Sequence, residues 1–400
     1  MGSSKLLQGL DDIDWAQYEH AYGPAVDVPD LIRALLSDDP EEVDETFYIL
    51  HSTIWHQGTV YGASVYAVPF LLELLESDEM QDKASLLNLL DCLADGHSYQ
   101  DVHVRRPEKR ETPEVQAEIK QELGWVVAAH QAVRKGIPVY LKLLRAADQD
   151  TQIFAAMVLS KFPEDALLLA ENLHTAIESE PKPAVKRELV ASLGCLIQAR
   201  DDFPEDQRRN AIRLLEAVFH DAPDKELALA AATALTEVTQ ITAPDEVIDM
   251  LIQGLADFDQ HESGMIYSKH NILPALQKLG SERSAAALFR ALAVTQNEKV
   301  VHDIAASLLV LVFGHDPLKD HSRAFGKKDG VSMIKYWPPH WEPQAGPPRE
   351  TITREQHQAL EALANCDVFW QIETDLLSMF GLPNDRHALK SYLQNQGLKG

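Results

Sequence analysis

The sequence predicts an all-α protein in which short paired helices stack side by side as a right-handed α-solenoid closed by helical caps. Three observations carry that expectation. Apolar residues recur at helical spacing, a proline-led leucine-rich segment returns at repeat-like intervals, and alternating β-branched runs bounded by hairpin turns are nearly absent.

Periodicity sets the helices. Val43, Phe47, Leu50 and Ile54 fall at i, i+4, i+7 and i+11, which places them on one helix face. Val185, Leu189, Leu193 and Ile197 line another such face, as do Leu227, Ala231, Leu235 and Val238. The recurring segment reads Val28-Pro29-Asp30-Leu31-Ile32, then Val68-Pro69-Phe70-Leu71-Leu72, then Ile137-Pro138-Val139-Tyr140-Leu141, with Leu273-Pro274-Ala275-Leu276 as a weaker copy. Proline suits the first helical turn, where its missing N–H has no intrahelical partner to lose, so each copy is expected to open a helix. Acidic or proline turns follow, such as Ser37-Asp38-Asp39-Pro40 and Ser179-Glu180-Pro181, and Ala-rich helices such as Phe154-Ala155-Ala156-Met157 come next. Helix, short turn and helix at about 35–45 residues is the period of HEAT and armadillo repeats.

Breaks in this rhythm divide the chain. Residues 1–27 read as an N-terminal cap and 28–313 as the HEAT-like solenoid, interrupted by a polar insertion at 95–115. Residues 314–350 form a second insertion, where Tyr336-Trp337-Pro338-Pro339-His340-Trp341 is too proline-dense for a regular helix. Trp337 and Trp341 serve there either as a lid over the concave face or as a strap across the last repeats. Helix resumes in a C-terminal cap, 351–400, opened by the capping box Thr353-Arg354-Glu355-Gln356.

Composition excludes several functions. The 400 residues hold 62 acidic against 36 Lys and Arg side chains, a formal charge of −26. Nucleic-acid backbones are therefore not expected partners, since binding them needs clustered cations. Cys92, Cys195 and Cys366 form no CxxC pair, which argues against a disulfide framework or thiolate zinc. No apolar run approaches the roughly 18–20 residues of a membrane span, and no signal-peptide core follows Met1. A soluble cytoplasmic protein is expected, without membrane contact.

At Asp14-Trp15, His20-Ala21-Tyr22-Gly23-Pro24-Ala25 and Asp27-Val28-Pro29 the chain resembles a family of HEAT-like repeat proteins common in actinobacteria. The most specific match is Ile54-Trp55-His56-Gln57-Gly58-Thr59-Val60-Tyr61, followed by Ala67-Val68-Pro69. Trp125-Val126, Ala129-His130 and Gly136-Ile137-Pro138 continue the likeness, and Gly381-Leu382-Pro383-Asn384-Asp385-Arg386 looks like the family's C-terminal end. The resemblance implies a fold. Similar solenoids are described as scaffold or immunity proteins.

The candidate site centres on Trp55-His56-Gln57-Gly58-Thr59-Val60-Tyr61, expected as an inter-helical turn in which Gly58 supplies φ > 0. Trp55, His56, Gln57 and Tyr61 offer aromatic walls with donors and acceptors, the makeup of a ligand pocket. Equally, Trp55 and Tyr61 can staple adjacent repeats while His56 and Gln57 cap helix ends. His97 and His103 lie in the first insertion near Asp91, Asp95 and Asp101, yet no HxxxH or HExxH element organises them, so no metal is expected. Trp125 and His130 join the candidate ligand-binding set with Trp55, His56, Gln57, Tyr61 and His97. If the protein is an enzyme, His56 and His130 are its acid/base pair; otherwise His130 is a buried imidazole held by a backbone carbonyl. GxSxG, P-loop and GxGxxG signatures are missing, and no cofactor is expected.

These readings lead to a binding scaffold holding a protein partner on a concave solenoid face, in the manner of an immunity protein. The alternative is a small-molecule isomerase, cyclase or hydrolase working on a small apolar or aromatic molecule in the same pocket.

Overall fold

Nineteen α-helices and two short β-hairpins make up the described residues of the computed structural model, which are 6–103, 110–257, 266–313 and 351–395. The Pro/Trp-rich segment 314–350 and the basic run at 105–109 lie outside them. The chain forms two compact units, dividing between Arg200 and Asp201. The all-α solenoid expectation holds, with the hairpins as its one addition.

In the first unit, 3-10 turns at Leu10–Asp12 and Trp15–Gln17 lead into strands β1 (Glu19–His20) and β2 (Gly23–Pro24). Helices α1 (Val28–Ala34) and α2 (Pro40–Thr53) precede strands β3 (Trp55–His56) and β4 (Thr59–Val60). Then follow α3 (Gly62–Glu76), α4 (Lys83–Ala94), α5 (Tyr99–His103), α6 (Pro113–Arg134), α7 (Ile137–Leu143), α8 (Gln149–Leu159), α9 (Ala166–Ser179) and α10 (Pro183–Gln198). Successive helices pair: α3 and α4 both pack on α6, α4 also packs on α8, and α8 and α9 both pack on α10.

The second unit holds α11 (Glu205–Asp221), α12 (Lys225–Thr239), α13 (Asp245–Ala256), α14 (Ile266–Gln277), α15 (Ser281–Val294) and α16 (Glu298–Phe313). It also holds α17 (Arg354–Asn365), α18 (Leu376–Met379) and α19 (Arg386–Gln394). Here α12 packs between α11 and α13, and α16 packs on α15 and α17.

Apart from Val43, which is half-buried, the predicted stripes lie in the core. Phe47, Leu50, Ile54, Val185, Leu189, Leu193, Ile197, Leu227, Ala231, Leu235 and Val238 are all buried. Short acidic side chains start the helices by accepting backbone N–H groups that the first turn leaves over: Asp39 from Glu41 at 3.0 Å, Asp82 from Ser85 at 2.9 Å, and Asp224 from Leu227 at 2.8 Å. The Thr353–Gln356 capping box forms as predicted.

The proline rule needs correction. Pro29 and Pro138 do sit in first turns, but Pro69 lies inside α3 and Pro274 inside α14. For α3 the cause is upstream. The Tyr61 N–H donates to Ser64 Oγ at 2.8 Å and the Ser64 N–H to Tyr61 O at 3.1 Å, so the helix nucleates a full two turns before the proline. Pro69 then forfeits the bond to the Val65 carbonyl at a solvent-exposed position, where water can replace it.

Candidate functional site

The Trp55–Tyr61 block is a β-hairpin. Trp55 pairs with Val60 and His56 with Thr59, and the two-residue turn has positive φ at both Gln57 (49°) and Gly58 (93°). Positive φ at both central residues is the type I′ turn that matches strand twist, so the glycine predicted to supply φ > 0 does so. Gly58 is required for a second reason: a Cβ there would overlap the imidazole of His97. That residue adds itself alongside β4. Its N–H donates to Gly58 O at 2.8 Å and its carbonyl accepts from the Val60 N–H at 3.1 Å. The start of the polar insertion is thereby clipped onto the hairpin, and His97 closes over it. Burial pushes the His97 imidazole down to about 4, with His103 adding to the shift, so the ring is neutral near pH 7.

Around this hairpin the structure gathers aromatic side chains from distant segments. The first hairpin is tied to the end of α2 by the Ala21 N–H donating to Thr53 O at 3.0 Å, and it carries Tyr22, whose ring meets that of His56 edge-on at 5.6 Å. In the same hairpin His20 Nδ1 accepts the Tyr22 N–H at 3.0 Å, so Nε2 carries the proton and donates to Asp27 at 3.0 Å. His56 is oriented by Nδ1 bonding to Ser52 O at 3.0 Å, and Trp55 lies against His51 at 6.1 Å. Tyr61 is half-buried; burial, then the proximity of Tyr99, Glu122 and Tyr22, pushes its phenol up to about 12. Trp125 of α6 covers Gly62, whose Cβ would sit 3.5 Å from the indole. One turn earlier Glu122 accepts from Ser98 Oγ at 2.6 Å and the Gln100 N–H at 2.7 Å, which positions Tyr99, stacked on His103 at 4.3 Å. Thus Trp55, His56, Gln57, Tyr61, His97 and Trp125 all belong to one neighbourhood.

His130 is tied elsewhere. It is 3% exposed, with Nδ1 facing Ala94 O and Nε2 facing Glu164 Oε1, both at 2.9 Å. A carbonyl and a carboxylate only accept, so both nitrogens donate and the ring is the cation. Burial opposes that charge, but Glu164 and the Ala94 carbonyl outweigh it and raise the imidazole's pKa. No ring nitrogen is left for a substrate proton. His130 instead joins α4, α6 and the turn at Pro163–Asp165, where Arg134 also grips Asp165 at 2.5 and 2.8 Å.

A second polar group lies deeper in this unit. Lys161 sits 3.7 Å from Asp91 and 3.1 Å from Asp95, while Asp91 Oδ1 has no hydrogen-bond partner. Burial pushes Asp91 up to about 6 and Glu188 of α10 up to about 7. Burial likewise pushes Cys92 up to about 12, so it remains a thiol. Among the described residues no set of three or more His, Cys, Asp or Glu side chains is placed to hold a metal ion. The predicted neighbours divide: Asp101 pairs with Arg110, and His103 stacks on Tyr99. No described helix is long and apolar enough to cross a membrane.

Sequence reasoning missed the exposed part of the surface. Tyr22 (68%), Tyr48 (75%), Tyr66 (39%) and Tyr99 (47%) are the strongly exposed aromatic side chains among the described residues, and all lie within the first unit. Tyr48 stands on α2 with Glu41, Asp44 and Glu45, all exposed and spaced i, i+3, i+4 and i+7 along one face. The charge asymmetry was readable: residues 6–103 hold twenty Asp and Glu against two cations, Arg33 and Lys83. The convergence of segments 20 to 80 residues apart was not.

No protein-family model matches the chain, and a search of curated proteins returns no match. Solved structures similar to it include a designed armadillo repeat protein, at 16% identity over 63% of this chain and 100% of that one, with a TM-score of 0.36. An engineered protein is similar at 17% identity over 65% of this chain and 97% of that one, with a TM-score of 0.37. Neither likeness is close enough to carry function, and the helical-repeat assignment stands on the paired helices themselves.

Proposed function

We propose that this chain is a binding scaffold for a protein partner, and that the hairpin face of its first unit makes the contact. The observation that supports this is the set of exposed tyrosines held by Tyr22, Tyr48 and Tyr99 around a rigid hairpin core. Tyrosine is enriched at protein interfaces because a large ring with a polar tip gains contact area at low entropic cost. Helical repeats present such surfaces on a fixed frame. The chain's strong negative charge favours a basic partner, as in an immunity protein masking a basic enzyme, and the resemblance of its WHQGTVY block to HEAT-like repeat proteins fits the same role. The acid/base alternative has less support, since both His130 nitrogens are already bonded.

The test is site-specific photo-crosslinking from positions 22 and 99, with exposed Ile241 and Val294 of the second unit as comparison positions. Capture of one same protein from both tyrosine positions, and not from the comparison positions, is expected. Capture only from positions 241 and 294 overturns the assignment of the contact face.

A further inference from the structure

Building on that scaffold reading, we infer that the surface running from α2 across both hairpins to α5 receives arginine side chains of a basic protein segment, each guanidinium lying on a tyrosine ring beside a carboxylate.

The elements follow one another: Tyr48 lies one turn before Ser52, Ser52 O holds His56 and the His56 ring meets Tyr22, while Tyr99, Glu122 and Tyr22 all act electrostatically on the Tyr61 phenol. Tyr48 is exposed on the same helix as the exposed Asp44 and Glu45, and Tyr99 is exposed at the other end. Asp44 and Glu45 precede Tyr48 by four and three residues, so acid and ring share a patch of helix surface. At the other end Glu118 bonds the Gln100 side chain at 2.8 Å and Glu122 bonds the Gln100 N–H, which places two carboxylates beside Tyr99.

Among the described residues, Arg33, Lys83 and Arg110 are engaged elsewhere than with the carboxylates of α2. Arg33 is paired with Asp11 at 2.5 Å and Asp30 at 3.2 Å, and Lys83 donates to Leu75 O at 3.0 Å. Arg110 neutralises Asp101. Glu41, Asp44 and Glu45 enter no ion pair among the described residues. A nucleic acid would be repelled by the chain's formal charge of −26, and a purely apolar peptide would strand the carboxylates. Arginine fits both halves at once. Its planar, weakly hydrated guanidinium stacks on an aromatic face and bonds carboxylate through the same plane, whereas lysine offers only a point charge.

The experiment titrates the full chain with two fluorescent peptides of equal length and charge, one Arg–Gly and one Lys–Gly, at near-physiological salt. The Arg peptide is expected to bind more tightly by about two- to fivefold for each ring engaged. Replacing Tyr22, Tyr48 and Tyr99 by Ala should remove that preference, while Tyr→Phe at the same positions keeps it; all three are exposed, and circular dichroism checks that folding is unchanged. Glu41→Gln with Asp44→Asn and Glu45→Gln should weaken both peptides, and Glu205→Gln with Asp206→Asn and Asp221→Asn in the second unit should not. Equal binding of the two peptides, unaffected by the tyrosine changes, overturns the inference, as does failure of the Arg peptide to bind. If crosslinking from position 22 captures a partner through a segment without arginine, the scaffold reading stands and this inference falls.

Discussion

Replacing Asp91 by Asn probes the buried charges of the first unit. Asp91 and Glu188 titrate at about 6 and about 7 in the folded protein, against 3.8 and 4.5 for unperturbed groups. Between roughly pH 4 and pH 7 the folded chain therefore keeps protons that the unfolded chain has released. Both are carboxylates with raised pKa values, so folding stability is greatest on the acid side of this window, falls as pH climbs from the unfolded toward the folded values, and levels off above them. At about 1.4 kcal/mol per pKa unit, each carboxylate costs at most about 3–4 kcal/mol by pH 8. Asn keeps the shape, removes the buried charge, and also relieves Glu188, whose shift is raised in part by Asp91. Lys161 retains Asp95 at 3.1 Å. Urea unfolding followed by circular dichroism, with hydrogen exchange reporting on α4 and α10, should show the variant about 1–3 kcal/mol more stable than wild type at pH 8, about half that at pH 5, and nearly equal to it only below about pH 4. A variant less stable at pH 8, or one with an unchanged pH slope, would refute the burial at Asp91 of a charge that Lys161 only partly compensates.

Other outcomes follow from the same geometry. Gly58→Ala places a side chain at φ 93° and into the His97 ring, so it should lower stability by about 1–3 kcal/mol and shift the His97 Cε1 proton resonance. His130→Ala leaves the Ala94 carbonyl and Glu164 without their donor; a loss of about 2–4 kcal/mol in thermal or urea unfolding is expected, larger at pH 6 than at pH 9 because the raised imidazole pKa contributes only while the ring is charged. The same variant should leave binding at the tyrosine face within twofold, which a titration with the Arg–Gly peptide measures.

Fold was legible because it rests on local pattern. Phe47, Leu50 and Ile54 needed only their spacing to be placed in the core, and Thr353 with Gln356 needed only their order to mark a helix start. Pro69 misled because local preference competed with a stronger nucleus, the Tyr61–Ser64 pair, that begins α3 upstream. The site was legible in part. The Trp55–Tyr61 block and Gly58 could be singled out, but nothing in the spacing of His97, forty-one positions on from His56, indicated that it would zip onto β4. His130 shows the limit from the other side: its neighbours Ala94 and Glu164 come from separate helices and turns, and only their meeting decides that the imidazole is a tie rather than a base. Exposure is likewise a tertiary property, so Tyr22, Tyr48 and Tyr99 look no different in sequence from the buried Tyr140.

Hydrogen exchange of the full chain with and without saturating Arg–Gly peptide tests the binding-face account most directly. Slower exchange is expected at the backbone amides of residues 44–61 and 97–103, with the second unit unchanged. Protection confined to α11–α13, where Asp224, Glu246, Asp249 and Met250 line an open groove of about 550 Å³, would contradict it.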